Sequence, residues 1–177
     1  MRSILRAVLL GMALSTFAPF SPAHGQTTRP DSAGVIAAAV RAFESGDAQA
    51  AFNMLRPVAS GGHREAQFTM GRLLESAQPT QAQYREAAIW YYRAAQAGHT
   101  GAMNNLAALH VDGLGVPVTY SVALRWYSAA AAAGFAPSQY NLALMYGRGQ
   151  GVARNEALML NWLQRAAAAG YDRAQAQ

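Results

Sequence analysis

The sequence predicts an all-α fold, a right-handed α-α solenoid of about four helical hairpins with a 36-residue period. The first observation is that the three tryptophans, Trp90, Trp126 and Trp162, lie 36 residues apart. The second is a glycine that recurs at the same interval, at positions 62, 98, 134 and 170. A fixed period of this length is typical of stacked helical repeats, which bury a continuous core between neighbouring units.

Each unit is predicted to contain two helices. Met103, Leu106 and Ala107 fall at helical spacing in the first half of one unit, and apolar residues in 120–133 do the same in the second half. Between them, residues 112–117 supply two glycines and a proline, which end the first helix. We expect the recurring glycine to end the second helix in a left-handed conformation.

The repeats also predict the domain organisation. With 52% hydrophobic residues in 177, the chain has enough apolar material for one well-buried domain. We expect this repeat domain to span 32–177. Its units are expected at about 32–62, 63–98, 99–134 and 135–170, followed by a partial helix at 171–177.

The N-terminus has the features of a secretory signal peptide, predicted at 1–25. Arg2 and Arg6 precede an apolar stretch that is too short and too interrupted to span a bilayer, and the run 23–25 has small residues where signal peptidase cleaves. We therefore expect a periplasmic or secreted protein with no stable membrane span after cleavage. Residues 26–31 are predicted to be a short disordered lead-in.

Composition excludes several functional classes. The chain has no cysteine, and all 14 of its basic residues are arginine. Disulfides, thiolate metal sites, Schiff-base chemistry and the P-loop lysine are therefore excluded. Loss of Arg2 and Arg6 with the signal lowers the net charge from +5 to +3, and no basic run remains to neutralise phosphates. Nucleic acid is therefore not an expected partner.

The candidate catalytic and metal-binding residues are better interpreted as structural. His63 and His99 occupy one repeat position that Phe135 and Tyr171 fill in later units, so we interpret them as packing aromatics at helix starts. The glycine-rich run 147–151 recurs in the preceding unit and is interpreted as a turn rather than a phosphate loop. We assign no catalytic residue, no metal ligand and no cofactor.

The motifs resemble those of Sel-one-like repeats, a family related to the tetratricopeptide repeats. The shared pattern is Gly-x-Gly-Val, then Ala-x-x-Trp-Tyr, then Ala-Ala-x-x-Gly. The resemblance implies a protein interaction scaffold without enzymatic activity. In the third unit the pattern is carried by Gly113, Gly115, Val116, Ala123, Trp126, Tyr127, Ala130, Ala131 and Gly134.

In a solenoid, repeated positions build the core and unrepeated positions decide what the surface binds. With the first helix of each pair lining the concave side, residues four apart share that face. Their mixture of aromatic, amide and guanidinium groups suits a protein or peptide partner, although solvated helix positions without a partner remain an alternative. The predicted partner-binding residues are Phe68, Arg72, Asn104, Ala108, Asp112, Tyr140, Leu144 and Arg148.

Two further expectations concern the aromatic and C-terminal residues. Trp126 is expected to be buried between its own unit and the next, whereas Tyr92 breaks the repeat and is expected to face solvent. In the last full unit, Leu160 and Leu163 are expected to form an apolar association surface, through which the protein binds a second copy or another protein.

Three functions are consistent with the sequence. The leading hypothesis is an exported non-enzymatic scaffold or adaptor that binds another protein in the bacterial envelope. One alternative is an envelope glycan-binding protein, which needs exposed stacking aromatics in the groove. The other is an atypical hydrolase on a helical-repeat fold, which needs a buried, perturbed acid or histidine in a closed pocket.

Overall fold

The structure, a computed structural model, describes residues 31–76 and 78–175, and the predicted signal peptide lies outside them. The described residues form helices without strands, which confirms the all-α prediction. The helices are α1 (Ser32–Glu44), α2 (Ala48–Ser60), α3 (Arg64–Glu75), α4 (Gln81–Gln96), α5 (Thr100–Asp112), α6 (Tyr120–Ala132), α7 (Ala136–Arg148), α8 (Glu156–Ala168) and α9 (Asp172–Gln175).

The helices pack as consecutive hairpins. The pairs are α1 with α2, α3 with α4, α5 with α6, and α7 with α8, and the second helix of each pair also packs against the first helix of the next. Each helix from α2 to α8 therefore packs against the helix before it and the helix after it, and the stack is a solenoid, as predicted. In the described part of the chain, no helix is long and apolar enough to cross a membrane.

The recurring glycine ends the second helix of each pair, as predicted. Gly134 has φ +86°, a left-handed conformation that glycine adopts without a Cβ penalty. Its N–H donates to the carbonyl of Ala131 at 3.0 Å, and the N–H of Phe135 donates to the carbonyl of Ala130 at 3.0 Å. This Schellman arrangement satisfies two carbonyls that the helix end leaves unpaired.

Gly115, in the loop between α5 and α6, has a second role that joins neighbouring units. Its φ is +69°, and a Cβ added there would lie 2.3 Å from the backbone nitrogen of Arg85 in α4. Its N–H donates to Oε1 of Gln81 at 2.8 Å. The loop therefore rests directly on the first turns of α4, which only a residue without a side chain permits.

The core contains alanines, tyrosines and larger aliphatic residues such as Leu106 and Leu142 at repeated positions. Tyr91 is fully buried, and its repeat equivalent Tyr127 is 4% exposed. Small residues such as Ala94 and Ala130 are also fully buried. Because alanine side chains are short, the helices approach closely around the two tyrosine rings.

The expectation that Trp126 is buried against the next unit is wrong. Trp126 is half-buried and faces the second helix of the preceding unit, where its ring packs edge-on to the ring of Tyr92, with centroids 6.1 Å apart. Tyr92 is 47% exposed, which confirms that it faces solvent. In the second and third units the covered aromatic residue is instead the neighbouring tyrosine, Tyr91 or Tyr127.

Candidate protein-binding surfaces

Two surfaces of the solenoid carry unrepeated side chains. The first-helix face consists of the predicted residues of α3, α5 and α7, which are Phe68, Arg72, Asn104, Ala108, Asp112, Tyr140, Leu144 and Arg148. The second-helix groove lies between α4 and α6, above α5. The structure shows how each is built.

Two aromatic residues of the first-helix face connect neighbouring units. Phe68 stacks on His99 at the start of the next unit, with ring centroids 4.1 Å apart and planes at 26°. Two units later, Tyr140 packs against Tyr171 with centroids 5.4 Å apart, but these rings are tilted at 55° to each other. Both pairs are separated by the same interval along the chain, so the contact is a repeated feature of the face.

His99 is held by three contacts. Its Nδ1 accepts the N–H of Ala102 at 3.1 Å and so caps the N-terminus of α5. Because Nδ1 accepts, Nε2 carries the hydrogen and donates it to Oε2 of Glu65 at 3.0 Å. His63 caps α3 in the same way, accepting from Ala66 at 3.4 Å. These histidines are helix caps, a role that the interpretation as packing aromatics did not include.

Asn104 holds α5 to α7 at the position equivalent to Phe68. Its Oδ1 accepts from the hydroxyl of Ser138 at 3.0 Å and from Nδ2 of Asn141 at 3.1 Å. Its own Nδ2 donates to Oδ1 of Asn105 at 3.2 Å. The first helices are thus joined by polar contacts in the middle of the face and by aromatic contacts on either side.

The remaining predicted residues differ in exposure. Arg72, Asp112 and Arg148 are exposed, whereas Ala108 and Leu144 are half-buried. The guanidinium of Arg72 lies over the ring of Phe68, 5.9 Å from its centroid. The exposed charges of the face are therefore two arginines and one aspartate, at the ends of its three helices.

The second-helix groove has a volume of about 660 Å³. Its walls come from α4 and α6, and its floor comes from α5 and the loop after it. Three arginines and no carboxylate are among its lining residues. These residues are Arg85, Ala88, Ile89, Tyr92, Arg93, Leu106, His110, Val116, Val122, Arg125, Trp126 and Ala129.

The groove is open because one unit lacks an arginine that two others have. The guanidinium of Arg93 lies over Trp90, 4.8 Å from the ring centroid, and Arg165 lies over Trp162 at 4.7 Å. The residue at the equivalent position beside Trp126 is Ala129. Sequence reasoning missed this groove, although the exchange of arginine for alanine was a visible signal.

The preceding pair of second helices, α2 and α4, forms a smaller groove of about 420 Å³. Its lining includes Trp90, with Arg93 above it, and also both Arg56 and Glu86. This groove therefore has mixed charge and a covered tryptophan, which distinguishes it from the groove between α4 and α6.

One half-buried acid, Glu75, is the last residue of α3. The Glu75 carboxylate accepts from the hydroxyl of Tyr91, which in turn accepts from Nδ2 of Asn105 at 3.1 Å. Burial raises the pKa of Glu75, partly offset by the Tyr91 hydrogen bond and by Arg72. Glu75 lines neither second-helix groove. Within 31–76 and 78–175 no group of three or more His, Asp or Glu residues could hold a metal ion.

The C-terminal hairpin exposes large apolar side chains on α8. Leu160 is 53% exposed and Leu158 is 40% exposed. Leu163 is half-buried, at the repeat position where Tyr91 and Tyr127 are covered by the following unit.

Comparison with known proteins identifies the family. The Sel1 repeat family model matches three consecutive segments, 64–99, 100–135 and 136–171. Because these matches cover more than half of the sequence, the chain belongs to the Sel1 repeat family. Sel1 repeat proteins are commonly protein–protein interaction scaffolds. No curated protein matches the chain.

Solved structures show the same fold. A protective antigen of uropathogenic Escherichia coli with an SLR fold has a TM-score of 0.74 and 25% identity over 81% of this chain and 32% of its own. A Sel1 repeat protein from Oxalobacter formigenes has a TM-score of 0.70 and 24% identity over 78% of this chain and 57% of its own. Cysteine-rich protein B of Helicobacter pylori has a TM-score of 0.54 and 16% identity over 86% and 98%.

The chain thus spans about a third of the length of the E. coli protein and just over half of that of the Oxalobacter protein. Unlike the Helicobacter protein, whose name records its cysteines, this chain has none. No disulfide therefore joins its hairpins.

Proposed function

We propose that this protein is an exported, non-enzymatic scaffold or adaptor that binds another protein or peptide in the bacterial envelope through its first-helix face. The observation that carries the proposal is the continuity of this face across three units. Phe68, Asn104 and Tyr140 occupy one repeat position, and each contacts the following unit. A continuous face with different chemistry in each unit is how solenoids recognise extended partners.

The charges of the face favour a polar partner surface. The exposed guanidiniums of Arg72 and Arg148 can each hold a carboxylate with two hydrogen bonds. Exposed Asp112 offers an acceptor to backbone N–H groups or to a basic side chain. The glycan alternative is less well supported, because Phe68 and Tyr140 pack against His99 and Tyr171 rather than standing free to stack on sugars.

Export to the periplasm or the medium is supported by the signal-like sequence of 1–25. The similarity to a protective antigen of E. coli agrees with such a location. Mass spectrometry of the protein from its native host tests this part of the proposal. We expect a mature N-terminus near Gln26, and an intact 1–25 segment on cytosolic protein would contradict export.

Affinity purification from the envelope fraction tests the binding function. We expect a discrete partner to co-purify with the mature protein and to be lost from the double variant Arg72→Glu/Arg148→Glu. Arg56→Glu, at an exposed arginine on the second helix α2, is the matched control and should retain the partner. Recovery of equal amounts of the partner with the wild type, the double variant and the control variant would contradict the assignment of the first-helix face as the binding surface.

A further inference from the structure

We propose that the groove between α4 and α6 is a second protein-binding site, specific for a peptide segment of a different protein that carries a bulky apolar side chain flanked by acidic residues. This site goes beyond the proposed function, because it lies on the second-helix side of the solenoid and does not depend on the first-helix face.

The groove offers exposed apolar surface in a concave setting. Ile89 is 49% exposed and Tyr92 is 47% exposed, and both lie beside the half-buried ring of Trp126. The volume of about 660 Å³ is typical of sites that enclose a ligand group. An apolar side chain placed here would remove these three residues from water, which supplies the driving force for binding.

The rim of the groove selects for negative charge. Arg85, Arg93 and Arg125 line it, and no carboxylate does. Among the described residues, neither Arg85 nor Arg125 forms an ion pair, and the arginine that does pair with a carboxylate is Arg154, with Glu156. The guanidinium of Arg93 lies over the face of Trp90 and forms no ion pair among the described residues, which leaves its N–H groups able to donate. Three unpaired guanidiniums around an apolar floor favour carboxylates on both sides of an apolar anchor.

The groove and the first-helix face lie on opposite sides of α5. Leu106 and His110 line the groove, whereas Asn104 and Ala108 belong to the first-helix face. Leu106 follows Asn104 by two residues, and His110 follows Ala108 by two residues. Two residues correspond to about 200° around a helix with 3.6 residues per turn, so the two pairs of side chains point in nearly opposite directions. Both surfaces are therefore accessible at the same time, and one protein can hold two different partners.

Charge also identifies the occupant as a different protein. The first 30 residues of this chain contain three arginines and no carboxylate, so they do not complement the rim. A second copy of the mature chain has a net charge of +3, so electrostatic repulsion disfavours it as the occupant of a groove lined by arginines. A segment of an acidic partner satisfies both the apolar floor and the three arginines.

The test uses a displayed library of random 12-residue peptides, selected on the full mature protein at low salt. We expect enriched peptides to share one Trp, Phe or Leu with Asp or Glu on both sides. A synthetic peptide of the enriched sequence is then titrated by calorimetry, together with a version in which Asp and Glu are replaced by Asn and Gln. We expect the amide version to bind at least tenfold more weakly.

Variants connect the binding to the groove. Ala129→Arg introduces the arginine that the neighbouring repeats have at this position and should weaken peptide binding at least tenfold by filling the groove. Ala132→Arg adds the same side chain at an exposed position of α6 outside the groove and should bind as the wild type does. Circular dichroism checks that both variants fold.

Each other outcome contradicts the proposal. Selection of no peptide, or of peptides without acidic residues, excludes the stated specificity. Equal peptide binding by Ala129→Arg and Ala132→Arg would show that the peptide does not bind in this groove. Dodecanoate, which combines an apolar chain with a carboxylate, is tested separately. If it binds in the groove and no peptide is selected, the groove is a site for anionic amphiphiles rather than for a protein. A negative result for the groove does not contradict partner binding by the first-helix face, because that binding is tested separately with Arg72→Glu/Arg148→Glu.

Discussion

The hydroxyl group of Tyr91 donates a hydrogen bond to the half-buried carboxylate of Glu75, and its repeat equivalent, Tyr127, has no such partner among the described residues. Tyr91 also accepts a hydrogen bond from Asn105, at 3.1 Å. One period later Tyr127 is equally buried, but Val111 stands where the carboxylate would be. No hydrogen bond from the Tyr127 hydroxyl is found to any described residue. Two tyrosines at one repeat position therefore have different roles.

This difference predicts unequal effects of removing the two hydroxyl groups. Tyr91→Phe leaves the Glu75 carboxylate without its donor and should lower the free energy of unfolding by about 1–3 kcal/mol. Tyr127→Phe removes no hydrogen bond and should change it by less than about 0.5 kcal/mol. Urea denaturation of both variants measures the difference, and equal losses would contradict the assigned contact.

The raised pKa of Glu75 predicts a pH dependence with a definite sign. Burial raises the pKa of this carboxyl in the folded protein. At pH values just above the ordinary pKa of glutamate, the folded state therefore still holds a proton that the unfolded chain has released. Stability from this group is therefore present at acidic pH and is lost as the pH rises above the ordinary glutamate range, from about 4.3 upward.

Glu75→Gln removes this titration. We expect the free energy of unfolding of the wild type, relative to that of Glu75→Gln, to fall as the pH rises from about 4 to about 7. Glu44→Gln, an exposed glutamate of α1, should follow the wild-type profile. Parallel curves for wild type and Glu75→Gln would show that the carboxyl is not perturbed by folding.

The two types of glycine predict different costs of substitution. Gly134 has a positive φ but nothing within 4 Å of an added Cβ, so Gly134→Ala should cost about 1 kcal/mol from backbone strain alone. Gly115→Ala adds a steric clash with the backbone at Arg85. It should lower the free energy of unfolding by at least about twice as much, because the backbone must shift to make room for the added methyl group. Thermal unfolding of both variants tests this order, and a reversed order would contradict the close contact between units.

The sequence predicted the helices and the period well because the same positions meet the same environment in every unit. Leu106 and Leu142 are buried at equivalent positions, and the helical spacing of apolar residues shows which positions these are. The angle between one hairpin and the next is not encoded in that spacing. For this reason Trp126 was predicted to face the next unit, whereas it faces the preceding one.

Polar contacts between units were also outside what the sequence could predict. Asn104 at the position of Phe68 showed only that the repeat varies there, and its bonds to Ser138 and Asn141 depend on the distance between α5 and α7. The groove between α4 and α6 had a readable signal, Ala129 in place of arginine. The groove also requires that Tyr92 lies beside Trp126 of the next unit, and this contact is not encoded in the spacing of the residues.

We further propose that the C-terminal hairpin is an association surface, based on the exposed Leu160 and the half-buried Leu163. Leu163→Glu should weaken association, because a charge would have to be buried in the contact. The first three units should remain folded, since each contacts only its neighbours. Sedimentation of the mature protein measures this, and a protein that is monomeric with and without the substitution would contradict it.

Site-specific cross-linking in living cells tests the central claim, that the first-helix face binds a protein partner, most directly. A photoreactive benzoylphenylalanine is placed at position 148 on this face or at position 132 on α6, both of which are exposed in the wild-type protein. The proposed function predicts a discrete cross-linked protein from position 148, in the envelope fraction, and none from position 132. The same cross-linked protein from both positions, or from neither, would contradict it.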